Sequence, residues 1–169
     1  SGVYMRIEIF PKGITIGEGD KAESFPAILP KAATGDAAGV DVSTPAGFEL
    51  KAGAKHLVDT GLIIKAPREH CILVLPRSGL AAKHLITVAN SPGLIDRDYC
   101  GPDDTIKVML VNNSKESYSF KAGDRVAQLL FVKYTSPDWN VQTTPDFAGD
   151  TSRGGFGSTG VARHVPVGP

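Results

Sequence analysis

The chain reads as an all-β fold: a jelly-roll-like β-sandwich with one short helix and an extended C-terminal arm. Two observations predict it. Glycine (19) and proline (12) punctuate the 169 residues every several positions, and the runs between them are short and rich in β-branched residues. Only SGLAAKH, residues 78–84, has the composition and length of a helical turn. With so little helix, the apolar faces of the strands have to cover one another, which gives a two-layer sandwich.

In chain order, MRIEIF (5–10) is the first strand candidate. Residues 11–35 mix Gly, Pro, Ala and charge and are read as irregular. HLVDTGLIIKAP (56–67) and CILVLP (71–76) follow as strands, then the helical turn, then HLITVAN (84–90), TIKVMLVNN (105–113), YSF (118–120) and VAQLLFVKY (126–134). After Thr135 the chain turns polar and rich in Pro, Gly and Thr, so the expected organisation is a sandwich core over residues 1–142 and an arm over 143–169. Ser1–Tyr4, ahead of Met5, is read as a remnant of tag cleavage and set aside.

Composition limits the function classes. A globule of this length buries about 70% of the surface of its unfolded chain, enough for one core. Lys and Arg total 18 and Asp and Glu total 18, so there is no basic field of the kind that wraps duplex nucleic acid, and a polyanionic ligand needs a local basic site. No apolar run reaches the ~18 residues of a membrane span, and no leader-like segment opens the chain. The expectation is a soluble, intracellular protein, in the first instance cytoplasmic, with nuclear, organellar and viral settings also compatible. Cys71 and Cys100 are read as free thiols, and His56, His70, His84 and His164 lack a metal-ligand spacing.

Five segments stand in a fixed order from Ala38 to Gly160: AGVD (38–41), PRSGLA (76–81), NSPGLIDRDY (90–99), GDRVAQLLF (123–131) and GGFGSTG (154–160). Together they resemble the five motifs of the trimeric dUTPases, over residues 30 to 160. The resemblance implies Mg²⁺-dependent hydrolysis of dUTP to dUMP and pyrophosphate by a homotrimer with shared sites. That reaction limits uracil in DNA and supplies dUMP for thymidylate synthesis.

The resemblance also implies roles for individual residues. In the hairpin around Gly93, the backbone of Leu94 and Ile95 and the side chain of Asn90 would pair with uracil. Cytosine reverses the pattern, and each buried polar group left unpaired costs about 1–3 kcal/mol. Asn90 is also a good turn residue. Asp96 is the candidate base for the water that attacks the α-phosphorus. Asp98, two positions on, would share its face if the strand continued, and is assigned a structural ion pair. Tyr99 would pack on the deoxyribose and reject a 2′-hydroxyl, while also serving as a half-buried aromatic.

Arg77 offers a planar fork of donors to phosphate, Ser78 a hydroxyl near the bond that breaks, and Gly79 a bare N–H at a helix start. Lys107 would border the nucleotide through its backbone, and Gln128 would contact the phosphate end. Mg²⁺ would be gripped by triphosphate oxygens and water, with no direct protein ligand and with Asp41 reaching it through water. Gly123-Asp124 reads as a turn and Arg125 as the partner of an acid across the sheet. The C-terminal motif would close over the nucleotide, Phe156 stacking on uracil while Gly157, Ser158 and Thr159 meet the phosphates; a linker is the plain alternative for such a string.

Two departures from the family pattern are visible. Thr151 stands where an Arg is usual, leaving Arg153 as the cation before Phe156, and Pro102-Asp103-Asp104 enlarges the turn after Tyr99. Two other readings share the fold. A dCTP deaminase-like enzyme would want a Glu and a different Ser and Arg pattern at GLIDRDY; a regulatory or protein-interaction role would not need Arg77, Ser78, Asp96 and Tyr99 together.

Overall fold

The computed structural model describes residues 4–143 of the chain. The strands are β1 (Glu8–Pro11), β2 (Ile14–Ile16), β3 (Glu23–Phe25), β4 (Lys31–Ala32), β5 (Val40–Ser43), β6 (Phe48–Leu50), β7 (Lys55–Asp59), β8 (Leu62–Lys65), β9 (His70–Leu75), β10 (Ile86–Val88), β11 (Gly93–Ile95), β12 (Lys107–Asn112), β13 (Tyr118–Phe120) and β14 (Arg125–Lys133). One α-helix, α1 (Ser78–His84), lies between β9 and β10. The all-β expectation and the single helix both hold. The chain divides into two units, residues 1–135 and 136–169. All of these elements belong to the first; residues 136–143 of the second carry no helix or strand.

The largest sheet runs in the order β11-β9-β14-β5-β4, and a second runs β10-β12-β7. Three two-stranded pairs, β1-β8, β13-β6 and β2-β3, complete the set. Every pairing is antiparallel. Period-two alternation decides what is buried. On β9 and β14 it sends Ile72, Val74, Ala127 and Leu129 inward, where they meet Val58, Val108, Leu110, Ile64 and Val42 in one core. The opposite face of the same sheet carries Leu73, Leu75, Leu130 and Val132, all partly exposed, and Leu94, 60% exposed. Among the described residues, nothing covers that apolar face.

Residues 11–35, expected to be irregular, hold a β2-β3 hairpin and a 3-10 turn at Gly19–Lys21. The hairpin strands are only three residues each and mostly exposed, so they lack the apolar period that identifies a strand from sequence. The run 56–67 is two strands, because Gly61 sits at φ 67 between them. A Cβ there would lie 2.8 Å from the backbone carbon of Gly13, whose N–H donates to the Gly61 carbonyl. This close crossing packs the N-terminal strand pair on the sandwich and admits only glycine.

Candidate active site

The first group of predicted residues gathers where β9 runs into α1. Arg77 stays extended (φ −92, ψ 131) as the residue before the helix, and its Nε donates to Oδ1 of Asp41 at 3.0 Å. Arg125 approaches the other oxygen, Nη1 to Oδ2 at 3.4 Å, which is the cross-sheet pairing expected of it. The Asp41 side chain is 15% exposed and that of Arg77 23%, so this ion pair is shielded from water. Gln128 stands opposite both Asp41 and Leu75 in the sheet. Its Nε2 donates to the Pro76 carbonyl at 3.0 Å, which fixes the start of the PRSGLA segment. A Cβ on Gly39 would fall 2.5 Å from Gln128 Oε1, so the glycine of AGVD keeps space for that amide. Ser78 and Gly79 are exposed, and the first intrahelical bond runs from the Ala81 N–H to the Arg77 carbonyl. The preceding N–H groups are therefore open to an anion.

The second group surrounds β11. β11 is an edge strand whose one partner is β9, with Gly93, Leu94 and Ile95 opposite Val74, Leu73 and Ile72. Its other edge presents backbone donors and acceptors that no described strand takes up. That geometry suits recognition of a base edge by the backbone of Leu94 and Ile95. Gly93 is buried; a Cβ on it would press Val74 at 3.0 Å and come within 3.6 Å of the Asn90 amide nitrogen.

The strand ends at Ile95. Asp96–Tyr99 form a turn closed by the Tyr99 N–H and the Asp96 carbonyl at 3.1 Å, so Asp96 and Asp98 are not paired on one strand face as expected. Nor does Asp98 make an ion pair among the described residues. Both carboxylates are exposed and line a cavity of about 530 Å³ with Cys71, Leu94, Arg97 and Tyr134. Tyr99 is half-buried, and its hydroxyl donates to the Thr105 carbonyl at 3.0 Å. Lys107 donates to Thr105 Oγ1 at 3.0 Å and lies 3.9 Å from Asp59. The turn at 102–104 is held in place: Lys12 Nζ bonds the Pro102 carbonyl at 2.9 Å and Asp103 Oδ1 at 2.6 Å, and Asp104 caps the Gly101 N–H at 2.8 Å. The Lys12 hydrogen bond, then its charge, holds Asp103 below its ordinary carboxylate value.

The two groups do not meet within one chain. Asp96 follows the β11 residue opposite Ile72, beside Cys71, whereas Arg77 lies six residues beyond Cys71 along β9. At 3.3 Å per residue they are about 20 Å apart. A cleft of about 920 Å³ lies between β2-β3 and β6-β7 and takes in Lys107 alone of the predicted site residues. Size therefore does not locate the chemistry. That cleft holds His56 stacked on Phe48 at 4.1 Å and 13°, and burial lowers the His56 value.

Arg153, Phe156, Gly157, Ser158 and Thr159 lie outside the described residues. No described helix is long and apolar enough to cross a membrane. Among the described residues no three His, Cys, Asp or Glu side chains cluster as metal ligands. Sequence reasoning passed over Arg97, although an arginine between two aspartates in IDRDY was a visible signal.

Three comparisons bear on this arrangement. A sequence profile of the dUTPase family matches residues 26–160. The deoxyuridine 5′-triphosphate nucleotidohydrolase of Rickettsia massiliae is 44% identical over 145 residues, 83% of this chain and 94% of that protein; the Rickettsia bellii protein of the same name is 43% identical with similar coverage. Among solved structures, a Streptococcus mutans dUTPase is 32% identical with a TM-score of 0.62, covering 66% of this chain and 89% of that one. A Staphylococcus bacteriophage 80alpha dUTPase with dUpNHpp has a TM-score of 0.72 over 92% of this chain and 99% of that chain; at 20% identity it speaks for the fold. A phage phi11 dUTPase structure, 18% identical with a TM-score of 0.67 over 83% of this chain and 98% of that one, is described as coordinating a structural Mg(II) ion.

Proposed function

The chain belongs to the dUTPase family, and on that premise we propose that it hydrolyses dUTP to dUMP and pyrophosphate, with Mg²⁺, as a homotrimer whose active sites are shared between chains. The observation that carries this reading is the division of the site along β9. A base at Asp96 and phosphate anchors at Arg77 and Ser78, about 20 Å apart in one chain, act on one nucleotide only when different copies supply them. The uncovered apolar face of Leu73, Leu94, Leu130 and Val132 lies between the two half-sites and supports the same arrangement.

In this reading the free edge of β11 accepts the uracil ring, with Leu94, Ile95 and Asn90 matching its donor and acceptor pattern. Tyr99, tied to Thr105, gives a rigid wall against the sugar and excludes a 2′-hydroxyl. Asp96 takes a proton from the attacking water as the oxygen closes on the α-phosphorus. The bond from that phosphorus to the bridging oxygen breaks, and pyrophosphate leaves toward Arg77, Ser78 and the Gly79 N–H of another copy. Asp41 contributes by holding Arg77 in place.

Both oxygens of Asp41 face arginines and the described residues offer no carboxylate cluster, so the chain suits an ion held by phosphate oxygens and water, with Asp41 acting through water. The chemistry such an ion would supply there is neutralisation of triphosphate charge. The roles that the family resemblance implies for Arg153, Phe156, Gly157 and Ser158 belong to the same reading, and these residues lie outside the described ones. Limiting uracil in DNA and supplying dUMP is the metabolic role we propose, in a soluble, cytoplasmic setting.

The test is pyrophosphate release from dUTP, dCTP, dTTP and UTP with Mg²⁺, for the wild type and Asp96→Asn. Release from dUTP alone, reduced at least a hundredfold in the variant, is expected. Equal rates in the two proteins would remove Asp96 from the chemistry, and no release by a folded trimer would remove the enzymatic reading and favour a protein-interaction role.

A further inference from the structure

Arg97 is the cation left unexplained by the site described above. Its Nε is shut off from solvent and has no hydrogen-bond partner, the one such buried side-chain atom among the described residues. It enters no ion pair there either, although Asp96 and Asp98 flank it in sequence and all three line the same cavity of about 530 Å³. Leaving a buried donor of a charged group unpaired is costly, and native structures meet such a cost where something else supplies the acceptor.

The turn explains why the cost is not relieved locally. Closing Tyr99 N–H onto the Asp96 carbonyl places Arg97 at the first corner, so the guanidinium and the two carboxylates share the cavity without reaching one another. Arginine stays charged and presents donors in a fixed fork. Of the six residues lining this cavity, it is the only cation. The contrast with Arg77 is informative: the Arg77 Nε is already committed to Asp41, whereas the corresponding nitrogen of Arg97 is free.

We propose that Arg97 is a substrate-contacting residue that binds the polyphosphate chain of the nucleotide beside Asp96. The inference rests on the reading of Asp96 as the base of a dUTP-hydrolysing site. An incoming triphosphate brings several negative charges into a cavity that already holds two carboxylates. Arg97 offsets that repulsion on the same chain as the base, while Arg77 acts from another copy. A phosphate oxygen in the cavity supplies the guanidinium with the acceptor that the described residues do not, and the pairing is charge-assisted.

The experiment compares wild type, Arg97→Ala, Arg97→Gln and Arg97→Lys by calorimetric binding of dUpNHpp and of deoxyuridine, with kcat and KM for dUTP and the size of the assembly measured in parallel. The expected result is at least a tenfold loss of dUpNHpp affinity in Arg97→Ala and Arg97→Gln. Deoxyuridine affinity stays within twofold, and Arg97→Lys recovers part of the loss. A dUpNHpp affinity within twofold of wild type in folded Arg97→Gln would overturn the proposal. So would equal losses for dUpNHpp and deoxyuridine, or a loss confined to assembly, since these mark a structural or interface role. Failure of the base reading shows separately, as full activity in Asp96→Asn.

Discussion

Replacing Asp41 with Ala tests whether one carboxylate organises the phosphate end of the site. Its Oδ1 accepts from Arg77 Nε at 3.0 Å, with both side chains less than a quarter exposed. A hydrogen bond to a charged group in such a setting contributes about 1.5–3 kcal/mol. The Arg125 contact is longer, 3.4 Å, and that arginine is 55% exposed; screening reduces its share to about 0.5 kcal/mol or less. The sum is about 1.5–3.5 kcal/mol, which for a chain of this size lowers the thermal midpoint by about 3–14 °C. Activity falls further than stability does, because Arg77 loses the partner that fixes its fork. Scanning calorimetry of Asp41→Ala and Asp41→Asn, with dUTP turnover measured well below both midpoints, checks each part. Asp41→Asn keeps an acceptor and retains some stability. A midpoint within 1 °C of wild type together with unchanged kcat/KM would refute the reasoning, since the ion pair would then neither support the fold nor place Arg77.

Gly39→Ala drives its methyl into the Gln128 amide; we expect loss of about 1 kcal/mol with the Gln128–Pro76 bond and a several-fold fall in turnover, and Gly39→Ala/Gln128→Ala no worse than Gln128→Ala alone. Asn112 is fully buried and bonds the Leu50 and Glu116 carbonyls and the Ser114 N–H and hydroxyl. Asn112→Ala therefore costs about 2–4 kcal/mol in urea unfolding, against under about 1 kcal/mol for Ser114→Ala. His56 titrates below its free value of 6.5 because burial disfavours its charged form. Its contribution to stability is present above 6.5 and lost as pH falls through the lowered value. The thermal midpoint should drop as pH is lowered below 6.5, with a shallower slope in His56→Phe.

Much of the fold was legible because long strands carry their own period. The apolar alternation of CILVLP and VAQLLFVKY reappears as β9 and β14, and SGLAAKH as α1. Among the three-residue strands, β2, β3 and β6 escaped, since three positions hold no measurable period, whereas YSF reappears as β13. Around the candidate site, the motifs singled out Asp41, Arg77 and Gln128, and the structure adds that Arg77 bonds Asp41 while Gln128 bonds the Pro76 carbonyl beside them. The turn at Asp96 was not: IDRDY alternates in sequence as a strand would, and a local backbone hydrogen bond ends the strand at Ile95. Arg97 was visible between the two aspartates of IDRDY, but the nitrogen without a partner that gives it interest shows only in the structure.

The proposed sharing of the site, with Asp96 near the start of β9 and Arg77 beyond its end, carries a genetic consequence. A chain defective in Arg77 still carries an intact Asp96, and a chain defective in Asp96 still carries an intact Arg77, so two dead proteins can complement each other. When Arg77→Ala and Asp96→Asn chains are unfolded together in equal amounts and reassembled at random, about one site in four combines two intact halves. Activity reborn from two inactive parents would show that Arg77 and Asp96 of one site come from different chains, without an image of the assembly.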